Sequence, residues 1–276
     1  MNTLYISDLD GTLLNKKAQP SGYTIETLNN LIAKGMHFTV ATARTSATAV
    51  KILEKINLEL PIILMNGAAI FNIKSKKHLH TNPIDEPSII SILEITKKIN
   101  INGFMYEVKD NQLITYYETL NSPPLINYYN ERVINFNKTF KQVADFSNMN
   151  HSHVIFFSFI GNKDKLDLIC KHLTNLPNIS FAYYKDIYPH SNNYHLEIFS
   201  YKATKYNGAQ FIRNHYKYDY LIGFGDNLND LPLFNACDET CAVSNAHKKV
   251  LDKADHIIDS NTNDGVARWL NDNHIL

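Results

Sequence analysis

Four short apolar runs each end in a polar residue: LYIS before Asp8, HFTVAT ending at Thr42, PIILMN ending at Asn66, and YLIGFGD ending at Asp226. Between the first three lie segments with helical spacing. In TIETLNNLIAKG the apolar residues Ile25, Leu28, Leu31 and Ile32 recur every three or four positions, and Gly35 is placed to stop the helix. Val50, Leu53 and Ile56 repeat the pattern in SATAVKILEKIN. Strand, helix, strand, helix predicts an α/β core, a doubly wound, Rossmann-like parallel sheet with helices on both faces. Ligands of such sheets bind at the carboxyl ends of the strands. Asp8, Thr42, Asn66 and Asp226 are therefore expected to converge on one site.

The middle of the chain follows a different grammar. A helix is expected in EPSIISILEITKKIN, then GFMYEV and QLITYYE flank KDN like a β-hairpin. After the loop NSPP and a polar-aromatic segment come a strand HVIFFSFIG, a helix KDKLDLICKHLTNL, and the strand pair ISFAYYKD and YHLEIFS. These strands are bunched in pairs and lack the acidic strand ends of the outer pattern, which predicts an inserted α+β domain over 82–199. Residues 1–81 and 200–276 then form the core, whose pattern resumes at KATKYNGAQFIRNHY.

A chain of 276 residues accommodates two such domains. Its 27 basic and 27 acidic residues cancel, which argues against a nucleic-acid groove or a membrane surface as partner. No stretch approaches the ~18 apolar residues of a membrane span, and Cys170, Cys237 and Cys241 form no disulfide framework. Reduced thiols and no leader segment predict a cytoplasmic protein.

The chemistry concentrates in two acidic clusters, DLDG with Asp8 and Asp10, and GDNLND with Asp226 and Asp230. If their strands are neighbours, carboxylates about 4 Å apart repel by roughly 4 kcal/mol at an effective dielectric near 20. Such a group needs a cation. Oxygen ligands suit a hard ion, and a site with positions left for water and phosphate suits Mg²⁺ better than Ca²⁺. A calcium loop starting at Asp8 fails on its own terms, because the glycine falls at the fourth position and the twelfth residue is Gln19.

DLDGTLL resembles the first motif of the haloacid dehalogenase superfamily of phosphohydrolases, and GDNLND resembles its fourth. VATAR, with Thr42, corresponds to the second motif, and Lys205 in ATKYNGA to the third. MNGAAIF, HLEIFSYKATK, SNAHKKVLDKAD and SNTNDGVARWL are similar to the Cof-type branch, whose α/β cap is inserted between the second and third motifs. Ala43 and Tyr206 stand where that branch usually has glycine; neither removes a reacting group, and Lys202 is the alternative to Lys205.

The resemblance implies a Mg²⁺-dependent phosphatase acting on a small-molecule phosphate ester, with sugar phosphates as the expected class. Asp8 would attack phosphorus and become an aspartyl-phosphate. Asp10 would protonate the leaving oxygen and then take a proton from water, help worth typically 10² to 10⁴-fold. Thr42, Lys205 and backbone N–H groups around Leu9 and Thr42, Ala43 among them, would offset the phosphate charge. Gly11 would let the chain turn away beside it. The metal would be held by Asp8, the carbonyl of Asp10 and Asp226, with Asp230 directly or through water. Asn227 and Asn229 would be nearby contacts, and Asn66 and Arg44 would either face the substrate or tie loops together.

Other features have plainer expectations. His78, His80, His151 and His153 alternate as on strands without a third metal ligand, and Cys237 and Cys241 lack zinc-site spacing. The tyrosine-rich runs ITYYETL, INYYNERV and FAYYKDIY are expected to cover a small sheet, with substrate stacking as the alternative. Glu197 is not expected in the active site. A phosphomutase or phosphotransferase is the rival enzyme. A receiver-type phospho-acceptor is the rival without catalysis, but it would be about half this length and would lack the aspartate two residues after the phosphorylated one.

Overall fold

The structure, a computed structural model, describes residues 2–186 and 192–273. The chain divides into two compact units, Met1–His80 with Thr204–Leu276, and Thr81–Ala203. The first begins with β1 (Thr3–Ser7), α1 (Gly22–Ala33), β2 (His37–Val40), α2 (Ser46–Leu53), β3 (Ile62–Leu64), β4 (Ala69–Asn72) and β5 (Lys77–Thr81). The second contains α3 (Glu86–Ile99), β6 (Gly103–Lys109), β7 (Gln112–Tyr117), α4 (Pro123–Phe136), β8 (Phe140–Gln142), β9 (Val154–Gly161), α5 (Lys163–Leu173), β10 (Ile179–Lys185) and β11 (Tyr194–Ser200). The first unit resumes with α6 (Lys205–Tyr216), β12 (Tyr220–Gly225), α7 (Leu231–Ala236), β13 (Glu239–Val243), α8 (Lys248–Leu251), β14 (His256–Ile258) and α9 (Gly265–Asn273).

The first unit is built on a parallel sheet ordered β14-β13-β12-β1-β2. Side chains alternate between its faces. Leu4, Ile6 and Leu221 pack in one cluster with Ala209 and Ile212 of α6 and Leu233 of α7. Phe224, of opposite parity to Leu221, meets Trp269 of α9 edge-on at 5.3 Å on the other face. The chain leaves β1 for β2 on one side and returns to β12 on the other, so the winding reverses between β1 and β12. That is where an open α/β sheet binds its ligand, and the residues just beyond those two strands are Asp8 and Asp226.

One strand departs from the expected sheet. PIILMN was expected to join the parallel sheet, but β3 belongs to a separate sheet ordered β3-β4-β5 and meets the main one through a parallel bridge, Ala41 to Ile63, with the Thr42 N–H donating to the Ile63 carbonyl at 2.9 Å. Met65, Asn66 and Gly67 all have positive φ, which folds the chain straight back so that β4 pairs antiparallel with β3. The backbone N–H of Asn66 nevertheless donates to the Thr42 carbonyl at 3.0 Å, and this fixes the turn beside the end of β2.

The second unit is a mixed sheet ordered β10-β11-β9-β6-β7-β8, antiparallel except for the β7–β8 pair. Lys109 and Gln112 close the β6–β7 hairpin over Asp110 and Asn111, with φ of 50° and 64°, the left-handed pair that a two-residue hairpin turn requires. Ile89, Ile92 and Leu93 of α3 and Leu166 and Ile169 of α5 pack on Met105, Phe157, Leu196 and Ile198 of the sheet. The NSPP stretch, expected as a loop, opens α4: Pro123 and Pro124 occupy first-turn positions, where a missing N–H costs nothing. Three tyrosine hydroxyls of this unit donate to carboxylates, Tyr116 to Glu107, Tyr183 to Asp167 and Tyr184 to Glu197. Tyr188, at the end of FAYYKDIY, lies outside the described residues. Among the described residues no helix is long and apolar enough to cross a membrane.

Candidate active site

The backbone N–H of Asp8 donates to the Phe224 carbonyl at 2.9 Å, which carries the β1–β12 ladder one residue past the strand and fixes where the carboxylate emerges. Lys205 is the first residue of α6, whose start is set by the Thr204 hydroxyl accepting the Asn207 N–H at 3.0 Å. Tyr206 therefore does not disturb the helix start. The buried Lys205 ammonium donates to Asp8 Oδ1 at 2.5 Å and to Asp230 Oδ1 at 2.6 Å. Lys202, the alternative, lies in the other unit.

Asp230 is fully buried, and both of its oxygens accept hydrogen bonds. Its second oxygen accepts the backbone N–H groups of Asp226 and Asn227, both at 2.9 Å, and so ties the loop after β12 into a tight turn. Asp226 projects from that turn and accepts the Thr12 hydroxyl at 2.7 Å. Asn227 spends its side-chain oxygen on the Leu228 N–H at 2.8 Å, capping the turn. Asn229 donates to the side chain of Asn66 at 3.2 Å, and Asn66 itself sits at φ 54°, a left-handed conformation that asparagine tolerates. Both asparagines thus link loops at the sheet edge. Thr42 is buried with its hydroxyl accepting the Arg44 N–H at 3.1 Å, while Ala43 is exposed at the tip of the same turn.

The residues of the first motif differ in what they do. The carbonyl of Leu9 accepts N–H groups from Thr12, Leu13 and Leu14, winding the chain into a compact loop. Gly11 sits at φ +86°, and a Cβ there would lie 2.4 Å from Asp226 Oδ2, so glycine is required both for the turn and for the room Asp226 occupies. Asp10 stands half-exposed and is gripped by Arg44 through both carboxylate oxygens, at 2.6 and 2.7 Å.

The charges explain one another. Burial raises the Asp8 carboxyl well above the usual range, Asp230 and Asp226 add to this, and Lys205 opposes it. Burial also pushes Asp226 up to about 6. Burial alone would lower Lys205, but Asp230 and Asp8 outweigh it and hold the ammonium above its ordinary value. Asp8, Asp226 and Asp230 each offer an oxygen within 4.8 Å of the others, and among the described residues this is the one such group of histidine, cysteine or acidic side chains. Three carboxylates against one lysine leave a net negative, oxygen-lined pocket. That donor set fits a hard divalent cation.

Thr12 and Asn245 were not foreseen as parts of the site. Asn245 donates to the Gly11 carbonyl at 2.9 Å and accepts the Asn261 N–H, and Asn261 donates to Leu14 at 2.7 Å, lacing the first-motif loop to the last third of the chain. Thr12 was visible in DLDGT as a small polar residue. The asparagines gave no local signal. Three of the histidines have structural partners: His151 bonds the Phe146 carbonyl at 2.9 Å, His80 stacks on Phe211, and His78 lies tilted against Phe71.

This constellation has counterparts among known proteins. The family model for haloacid dehalogenase-like hydrolases matches residues 5–270, so the chain belongs to that family. A protein of Buchnera aphidicola subsp. Baizongia pistaciae is 29% identical over 98% of each chain. The pyridoxal phosphate phosphatase YbhA of Escherichia coli K12 is 24% identical over 95% of each. In three dimensions the chain is similar to a haloacid dehalogenase-like hydrolase from Bacteroides thetaiotaomicron, with a TM-score of 0.80 and 22% identity over 98% of each chain.

Proposed function

We propose that this protein is a Mg²⁺-dependent phosphatase that hydrolyses small phosphorylated metabolites, sugar phosphates foremost, through an aspartyl-phosphate on Asp8. The observation that carries this reading is the buried Asp8–Lys205–Asp230 bridge at the strand switch point, with Asp226 beside it. Lys205 orients one oxygen of Asp8 and compensates its charge, so the carboxylate can approach a phosphate dianion. The relative that acts on pyridoxal phosphate supports a small phosphate monoester as substrate.

In the first step an Asp8 oxygen bonds to phosphorus as the ester P–O bond breaks, and Asp10 delivers a proton to the departing oxygen. In the second, water attacks phosphorus, Asp10 takes its proton, and orthophosphate leaves with the Asp8 carboxylate restored. Asp8, Asp226, Asp230 and the Asp10 carbonyl would hold Mg²⁺, which when bound neutralises phosphoryl charge. Thr42 and the turn at Ala43 would contact the phosphoryl oxygens.

Hydrolysis of an aryl phosphate, followed with and without Mg²⁺ on the wild type and on Asp8→Asn, tests the reading. The substitution is expected to lower kcat by more than about 10³-fold, and omission of Mg²⁺ to abolish turnover. Full activity in Asp8→Asn would remove Asp8 as the nucleophile.

A further inference from the structure

A second concentration of charge lies wholly within Thr81–Ala203. Lys138 follows Asn137, whose left-handed backbone ends α4; it is 5% exposed, and its Nζ makes no well-formed hydrogen bond among the described residues, only a weak one toward the Tyr128 hydroxyl. The ammonium lies over aromatic rings instead, 4.2 Å from the centroid of Tyr106, 5.2 Å from Phe140 and 5.5 Å from Tyr128. Ring faces attract a cation but give its three N–H groups no acceptor. Arg132, one helical turn after Tyr128, adds a second cation 4.9 Å from the same ring and is paired with its neighbour Glu131 at 2.9 Å.

The surrounding polar groups do not close this account. The hydroxyls of Tyr106 and Tyr128 are 2.9 Å apart and share one hydrogen bond, which uses one of their two hydrogens. Glu197 is within electrostatic reach of Lys138 but accepts the Tyr184 hydroxyl at 3.0 Å, and burial pushes its carboxyl up to about 7. Burial raises the Tyr128 phenol, yet Lys138 and Arg132 outweigh it and hold the group below its usual value. The Tyr128 oxygen thus serves Lys138, Arg132 and Tyr106 at once, and donors and positive charge exceed acceptors here. A buried ammonium that must share one phenol oxygen with other donors is under-satisfied, a costly arrangement that protein interiors avoid unless something completes it.

We propose that this unit carries an anion site of its own, in which Lys138, Arg132 and the Tyr106–Tyr128 hydroxyl pair receive a carboxylate or phosphate group of a small metabolite. The site stands apart from the acidic cluster in charge and in composition, and it does not depend on the phosphatase reading.

The test follows the Lys138 ammonium directly by magnetic resonance in the full chain labelled at lysine nitrogen. The resonance is assigned by its loss in Lys138→Met, or in Lys138→Arg should the methionine variant not fold. Malonate and inorganic phosphate are titrated in turn, in the wild type and in Asp8→Asn. The resonance is expected to shift saturably, and equally in both proteins. A response to malonate assigns a carboxylate ligand, and a response confined to phosphate assigns a phosphate group. A Lys138 resonance that stays fixed in both anions overturns the site.

Discussion

Arg44 holds Asp10 by both carboxylate oxygens, with Nε 2.7 Å from Oδ2 and Nη2 2.6 Å from Oδ1. The two residues come from separate motifs, yet they act as one unit beside the strand ends. A fork-to-fork pair of this kind fixes the plane of the carboxylate as well as its position. It is also accessible to water, with 22% of the Arg44 side chain and 49% of the Asp10 side chain exposed. Exposed pairs contribute at most about 1 kcal/mol. The pair can therefore open at each turnover, which the proton-transfer role proposed for Asp10 requires.

Arg44→Ala is accordingly expected to change unfolding free energy by less than about 1 kcal/mol in urea titrations. On the phosphatase reading it should lower kcat by less than Asp10→Ala does, because the proton carrier survives while its orientation is lost; removal of the carrier itself costs ~10² to 10⁴-fold. Steady-state rates on one aryl phosphate rank the two variants. An Arg44→Ala loss as deep as that of Asp10→Ala would show that Arg44 contacts the reacting phosphate itself.

Lys205 presents the opposite case, a fully buried cation between two buried carboxylates. Breaking a buried ion pair from one side leaves uncompensated charge and typically costs about 3–5 kcal/mol. Lys205→Met is expected to lose that much stability by chemical denaturation. Adding Asp230→Asn should recover part of it, with a coupling of about 1–3 kcal/mol in a double-mutant cycle. Strictly additive losses would mean that the two side chains do not share an energetic bond.

How far this arrangement could be read from the sequence depended on range. Local patterning gave the strands around the site, the β6–β7 hairpin and both acidic clusters, because period and turn chemistry act over a few residues. β3 was misplaced because a three-residue apolar strand carries no information about which neighbour it pairs with; the left-handed turn at Met65–Gly67 decides that. α4 was missed because prolines signal both loop and helix start. In α1, Thr24 and Thr27 take buried positions beside Leu28, so an apolar count alone understated the inward face. The Arg44–Asp10 pair and the Asn245–Gly11 contact join residues 34 and 234 positions apart. Nothing in either stretch alone points to the other.

Glu197 makes the stability of its unit depend on pH. Burial raises its carboxyl from 4.5 to about 7, against the opposing pull of Tyr184 and Lys138. The folded state therefore binds this proton more tightly than the unfolded chain does. The contribution is fully present below pH 4.5 and is lost as pH rises through about 7. It amounts to about 3 kcal/mol at most. Glu197→Gln, measured by denaturant unfolding across that window, is expected to flatten the fall. An unchanged slope would place the titrating group elsewhere.

Gly11 and Gly35 together separate backbone strain from disruption of the acidic pocket. Both have positive φ, +86° and +100°, so alanine at either position carries a left-handed penalty of roughly 1–2 kcal/mol. Around Gly35 nothing lies within 4 Å of an added Cβ, whereas at Gly11 the methyl would sit 2.4 Å from Asp226 Oδ2 and 2.9 Å from its Cγ. Asp226 is tied to Thr12 at 2.7 Å and has to give up that bond to move aside. On the Mg²⁺ reading proposed above, Gly35→Ala is therefore expected to lower the melting temperature while keeping a rise with Mg²⁺ equal to the wild type's. Gly11→Ala is expected to lower it and to lose most of that rise, because one of three candidate metal ligands is displaced. Thermal melts of both variants in chelator and in Mg²⁺ make the comparison, and an intact Mg²⁺ response in Gly11→Ala would show that Asp226 does not hold the ion.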